Sequence, residues 1–120
     1  MAGMTPLTYQ ILLALADGDR HGYGIIKDIE EHSGAGAAPS TGALYLALQR
    51  IAGDDLIAES PERPSGEDDA RRRYYRLTGW GRSRAEQESV RLAALVAVGP
   101  PVIPELRIAL PDGDVISRKA

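Results

Sequence analysis

The segment STGALYLALQRI, residues Ser40 to Ile51, decides how the chain folds. Ser40 is a good helix cap. Leu44, Ala47, Leu48 and Ile51 recur at the spacing that lines one face of a helix. The opposite face carries Gly42, Tyr45, Leu46 and Gln49. Tyrosine beside leucine, with no charge among them, is not an ordinary solvated surface, so this face is expected to meet something.

Working upstream, Gly22 to Ser33 reads as a second helix stopped by Gly34. Tyr23, Ile26 and Ile29 share its apolar face with Ile25 beside them, and Lys27, Asp28, Glu30 and Glu31 take the other side. The link GAGAAP, Gly34 to Pro39, joins it to the Ser40 helix. Thr5 to Asp17 reads as a first helix, with Thr5 as cap, Pro6 in the first turn, and Leu7, Ile11, Ala14 and Leu15 on one face.

Downstream, Leu56 to Ser60 and Arg71 to Leu77 are strand candidates, and the polar loop between them makes the pair a hairpin. Thr78 can cap a fourth helix, whose first turn is weakened by Gly79 and Gly81. From Arg82 to Val98 the pattern is helical, and from Leu92 onward it is apolar almost all round. One small domain cannot cover such a surface, so Leu92, Leu95 and Val96 are expected to bury against a second copy in a twofold dimer. Gly99, Pro100 and Pro101 are expected to end the helix. In the tail, Arg107 to Leu110 and Asp114 to Ser117 flank the turn tripeptide Pro111, Asp112 and Gly113. An added hairpin and a disordered end both fit.

The order of elements predicts a mainly α, α+β fold: a winged helix-turn-helix with a two-stranded hairpin wing and a C-terminal dimerisation helix. The expected divisions are a DNA-binding domain over 1–78, the dimerisation helix over 79–98 and a tail over 99–120.

Composition narrows the function. The 120 residues carry 43% apolar and 26% charged side chains, which suits a single globular domain. The absence of Cys excludes disulfides, thiolate metal sites and Cys nucleophiles. No apolar run nears the ~18 residues of a membrane span. Met1 to Tyr9 lacks a basic leader, so a cytoplasmic location is expected. His21 and His32 are the only histidines, too few for a clear zinc set, and no nucleophile motif frames any serine. No catalytic residue, metal or cofactor is therefore expected.

Net charge is −3, yet eight of the 14 basic residues fall between Arg63 and Arg91. An acidic protein can thus present a basic face. In a winged helix the third helix enters the major groove and the hairpin meets phosphates. On that logic Ser40 and Thr41 suit phosphate or base contact, Gly42 admits close backbone approach, and Tyr45 and Gln49 reach into the groove. Arg71, Arg72 and Arg73 alternate along the second strand, so some face away from the core. Trp80 either packs beneath the hairpin or stacks on a flat ligand. A winged helix used for protein contact, with no DNA site of its own, is the rival reading, and the acidic composition favours it.

HGYGIIKDIEEHSG (His21 to Gly34), STGALYLALQRI, DLI (Asp55 to Ile57) and RRYYRLTGWGR (Arg72 to Arg82), in this order and spacing, resemble the PadR family of bacterial transcriptional regulators. The resemblance covers roughly residues 5 to 95. It implies a homodimeric winged-helix repressor of nearby genes, built on its C-terminal helix, and in some members released from DNA by an aromatic effector bound between subunits. Carried onto this chain, the DNA-reading positions are Ser40, Thr41, Gly42, Tyr45 and Gln49, with Arg63 to Arg73 as the wing. Leu46 stands where members usually have Pro, and Asp55 where they usually have Gly before the first wing strand.

Overall fold

The computed structural model describes residues 4–34, 36, 38–61, 72–109 and 115–117. The chain forms two compact units, Met1–Ala85 and Glu86–Ala120. The first contains helices α1 (Pro6–Ala14), α2 (Gly22–Ser33) and α3 (Thr41–Gly53), and strands β1 (Arg20–His21), β2 (Ile57–Ser60) and β3 (Tyr74–Leu77). Helix α4 (Gly79–Val102) begins in the first unit and continues into the second. The second also holds β4 (Arg107–Ala109) and β5 (Val115–Ser117).

Each helix of the first unit starts on a side-chain cap. Thr5 accepts from Thr8 N–H at 3.1 Å, and Pro6 follows it at the first helical position. Ser40 Oγ accepts from Ala43 N–H at 3.2 Å. His21, an unusual cap, accepts from Gly24 N–H through Nδ1 at 3.0 Å. Thr78 Oγ1 accepts from Gly81 N–H at 2.9 Å and donates to the Asp55 carbonyl at 2.6 Å, so one hydroxyl ties the start of α4 to the end of α3.

The core of this unit is built from Ile11, Leu12 and Leu15 of the α1 region, Ile25 and Ile29 of α2, Leu44, Leu48 and Ile51 of α3, and Ile57 of β2. Full burial of a side chain of this size contributes about 1.5–3 kcal/mol, and the helices are held chiefly by these contacts. The α3 stripe is the expected one. On α2 the outcome differs: Ile25 and Ile29, four residues apart, are buried, whereas Tyr23 is 57% exposed. Residues four apart sit more nearly above one another than residues three apart, so the Ile25–Ile29 pair takes the core and Tyr23 faces out. Helix α1 also ends earlier than expected, at Ala14 rather than Asp17.

The exit from α3 explains why glycine would be favoured at position 55. Leu56 N–H donates to the Ile51 carbonyl and Asp55 N–H to that of Ala52, the bond pair of a Schellman motif. The motif needs a left-handed residue, and Asp55 supplies it with φ 62°. Buried Leu56 and Ile51 pack together across the turn.

The sheet has three strands, in the order β1-β3-β2, where a two-stranded hairpin was expected. Ile57 pairs with Leu77 and Ser60 with Tyr74, and β3 also pairs with β1 through Arg20–Tyr75 and His21–Tyr74. Buried Ser60 donates from Oγ to Asp19 at 2.5 Å, which fastens the outer end of β2 to the turn before β1.

The first turns of α4 belong to the winged unit, because Ala85 is buried in its core and Gly81 lies against the backbone of Leu56. The first unit runs to Ala85 and so includes these turns. In the second unit α4 runs through Pro100 and Pro101 to Val102, four residues beyond the expected end at Val98. Each proline lacks its N–H donor and crowds the carbonyl four residues back, and the helix ends one residue after Pro101. Arg91 donates from Nε and Nη2 to the two carboxylate oxygens of Glu88, at 2.9 and 2.6 Å. Strands β4 and β5 pair antiparallel, with Arg107 opposite Ser117, so the tail takes the hairpin alternative.

Candidate nucleic-acid interface

Helix α3 presents a face that the core does not use. Ser40, Thr41, Gly42, Tyr45, Leu46 and Gln49 are all exposed. Leu46 is 70% exposed and Tyr45 45%. Ser40 is already engaged as the cap. Arg50, the cation on this helix, is exposed, but its guanidinium is engaged in donating to Thr8 Oγ1 of α1 at 3.1 Å. The outward face is therefore uncharged but rich in hydrogen-bonding groups, the chemistry that reads base edges.

Tyr45 does not project freely. Its ring end lies over Gly22, where an added Cβ would sit 2.6 Å from the phenol oxygen. Glycine at the start of α2 thus makes room for a side chain of α3, and this couples the two helices of the helix-turn-helix. Tyr75 of β3 is half-buried. Its own hydroxyl is raised above the ordinary tyrosine range, first by burial, with the Arg73 guanidinium opposing through charge and a hydrogen bond.

Arg72 and Arg73 are exposed just before β3. Arg72 Nη1 lies 3.0 Å from His21 Nε2. The His21 ring packs edge-on against buried Tyr74, with centroids 5.2 Å apart, and is roughly parallel to Tyr23 at 6.3 Å. Within β3 the alternate residues Tyr75 and Leu77 pack against the core, and Arg76 between them is exposed. Arg63 and Arg71, the other expected wing cations, lie outside the described residues.

The α3 face, the start of α2 and the approach to β3 are thus linked by Tyr45–Gly22 and His21–Arg72. The α3 positions expected from the sequence, and Arg72 and Arg73, are exposed. Sequence reasoning missed His21 and Tyr23 as surface groups, because histidine is not a customary cap and Tyr23 fits an apolar repeat. The one available signal was the HGYG string, in which glycines flank an aromatic at a helix start.

Other candidate positions fall elsewhere. Trp80 does not pack beneath the hairpin: it is 51% exposed, with the Arg84 guanidinium 5.9 Å from its ring centroid. Its place in the first turn of α4 points it away from the core that Ala85 enters. In the second unit Leu92 and Val96 are partly buried, and Leu95 is 54% exposed. Val90, Val98, Val102 and Ile103 are also exposed, so α4 carries extensive uncovered apolar surface. Asp28 binds Arg20 at 3.4 Å and His32 at 3.5 Å. A cavity of about 200 Å³ beside this pair is lined by Gln10, Leu13, Asp17 and Ile29 among others. Among the described residues no three His, Asp or Glu side chains are grouped to hold a metal, and no helix is long and apolar enough to cross a membrane.

Residues 11–87 match the model of the transcriptional regulator PadR-like family. A PadR family transcription regulator from Clostridium difficile R20291 is 27% identical in sequence and superposes with a TM-score of 0.70, over 82% of this chain and 99% of that one. Bacillus subtilis PadR, solved in complex with operator DNA, shares the fold at 21% identity and TM-score 0.61, over 74% of this chain and 48% of that one. A protein described as an uncharacterized 37.1 kDa protein in transposon TN4556 of Streptomyces fradiae is 41% identical over 85 residues, 71% of this chain. The match spans only 22% of that relative's length.

Proposed function

The chain belongs to the transcriptional regulator PadR-like family, and from that premise we propose that it is a sequence-specific DNA-binding repressor acting as a homodimer. What supports this reading is the uncharged, exposed α3 face, joined to the exposed Arg72 by way of the Tyr45–Gly22 and His21–Arg72 contacts at the start of α2. Helix α3 enters the major groove. Thr41, Gly42, Tyr45 and Gln49 face base edges, and Ser40 stands at the backbone where the helix begins. Arg72 and Arg73 contact phosphates and set position without reading sequence, and Arg63 and Arg71 extend that contact along the wing.

The second copy is held through α4. Leu92, Leu95 and Val96 form the seam, which covers apolar surface that a single chain leaves open. Two recognition helices then face successive major grooves of a pseudo-palindromic operator. Trp80, exposed and backed by Arg84, is the residue offered to a flat aromatic effector that relieves repression. A reader of chromosomal DNA of this kind works in the cytoplasm.

Selection of duplexes from a random pool, followed by sedimentation of the complex, tests this function. The expected result is an inverted-repeat consensus bound by two chains, with Leu95→Asp yielding monomers that no longer select it. Selection of no consensus, together with capture of a protein by the α3 face, would favour the protein-contact reading. The −3 net charge and exposed Leu46 are what support that alternative.

A further inference from the structure

The outward face of α3 is not uniform. At about 100° per residue, the direction opposite the buried stripe of Leu44, Ala47, Leu48 and Ile51 passes closest to Gly42, Leu46 and Gln49. Tyr45 lies to one side of that line, where its phenol leans over Gly22 of α2. Arg50 lies to the other, where its guanidinium is engaged with Thr8 of α1 at 3.1 Å. The middle of the face is therefore held by an aliphatic side chain. Leu46 is 70% exposed, more than Tyr45 at 45%. One turn before it, Gly42 has no side chain, and a Cβ built there meets nothing within 4 Å. Ala43, also one turn before it, is exposed and adds only a methyl group. Neither screens Leu46 from a surface that approaches the helix.

A leucine at this place is poorly matched to a phosphate, which is anionic and hydrated. It is poorly matched to most base edges as well. Brought against a donor or an acceptor, it strips the water and returns no hydrogen bond. In the major groove the apolar group on offer is the C5-methyl of thymine, and contact with it removes apolar surface from water on both sides. Gln49 stands three residues on, the spacing of neighbours on a helix face. Its amide matches the N6 donor and N7 acceptor of adenine, and an A·T pair presents that edge and the thymine methyl in the same groove.

We propose that Leu46 is a specificity-determining residue that packs on the C5-methyl group of a thymine in the bound duplex. The inference rests on the DNA-binding reading above and deepens it. It assigns the centre of the α3 face to a base feature that carbon recognises, with the hydrogen-bonding side chains arranged around it.

The test uses the full chain and a duplex it selects from a random pool. Each thymine of that duplex is replaced in turn by deoxyuridine, which removes the methyl group and leaves the hydrogen-bonding edge as it was. Affinity is measured for the parent, Leu46→Ala and Gln49→Ala. Leu46 lies outside the core, and thermal melting verifies the fold of both variants. The uracil series on the parent needs no variant at all.

Loss of one methyl group is expected to weaken the parent about fourfold at a particular thymine. Leu46→Ala is expected to bind the thymine duplex more weakly than the parent, and to bind the thymine and uracil duplexes alike at that position. Gln49→Ala is expected to bind more weakly while keeping the parent's response to uracil there. If no uracil replacement affects the parent, or if the folded Leu46→Ala keeps the parent's response, the methyl contact is wrong while the DNA-binding reading stands. If the parent selects and binds no duplex, both fall.

Discussion

The phenol of Tyr45 on α3 rests on Gly22 at the first position of α2, so the recognition surface is set by a glycine on a different helix. A methyl group at position 22 would displace the ring end of Tyr45 and little else. Gly22→Ala is therefore expected to change the denaturation midpoint only slightly, since the displaced atoms are the far end of a flexible side chain. It is expected to weaken selective DNA binding by about an order of magnitude, with a smaller effect on unrelated duplex. Tyr45→Ala should weaken selective binding by more, about 1–3 kcal/mol if the phenol reads a base edge. Competition anisotropy with matched and unrelated duplexes measures both.

Gly81 provides the opposite case, in which backbone meets backbone. A Cβ there would collide with the Leu56 carbonyl oxygen, at the point where Thr78 joins α4 to the α3 exit. Neither partner can turn aside as a side chain can. Gly81→Ala is expected to destabilise the fold by about 2–4 kcal/mol. Gly79, two residues earlier, faces open space, so Gly79→Ala should be neutral or stabilising by up to about 1 kcal/mol. Urea denaturation of the two variants gives the comparison.

Asp55 holds a left-handed conformation that glycine adopts without cost. Asp55→Gly should keep the Schellman turn and raise stability by up to about 1 kcal/mol. It also removes a negative charge from the base of the wing, so DNA affinity should rise slightly at low salt. Asp55→Ala keeps the left-handed strain without the local hydrogen bonding available to an aspartate, and should be less stable than the parent. Thermal melts together with a low-salt titration check all three expectations.

His32 in the last turn of α2 titrates above the ordinary imidazole value of 6.5, first because its ring bonds the Asp28 carbonyl, and then because the Asp28 carboxylate is near. A raised value in the folded state means that protonated His32 favours the fold. That contribution is complete below about pH 6.5 and fades as pH rises through the folded value. The position suits a cation, since the C-terminal end of a helix carries partial negative charge. An NMR titration should place His32 above 6.5, and Asp28→Asn should bring it part of the way back. A midpoint at or below 6.5 in the parent would contradict the contact.

The winged unit was legible because its signals are periodic. Leu44, Ala47, Leu48 and Ile51 repeat at helical spacing, and that repeat names the exposed face of α3 as surely as the buried one. Strand β1 was not legible, since Arg20 and His21 are too few to carry an alternation and pair only because β3 lies beside them. Tyr23 was misplaced for a related reason: periodicity counts an aromatic as apolar, whereas its exposure depends on which isoleucine pair reaches the core. The coupling of Tyr45 to Gly22 and the contact of His21 with Arg72 are tertiary relationships that no periodicity reports. Trp80 could be weighed as core or as ligand contact, but only the position of Ala85 decides which way the first turn of α4 faces.

The central claim is that the α3 face reads DNA while the cations beside it hold the backbone. Fluorescence anisotropy with labelled duplex from upstream of the chain's own gene, set against unrelated duplex of equal length over a salt series, tests it most directly. The account predicts tight binding to the first and weaker binding to the second, both falling steeply as salt rises. Equal affinity for the two duplexes at every salt concentration, or no binding to either at low salt, would contradict it.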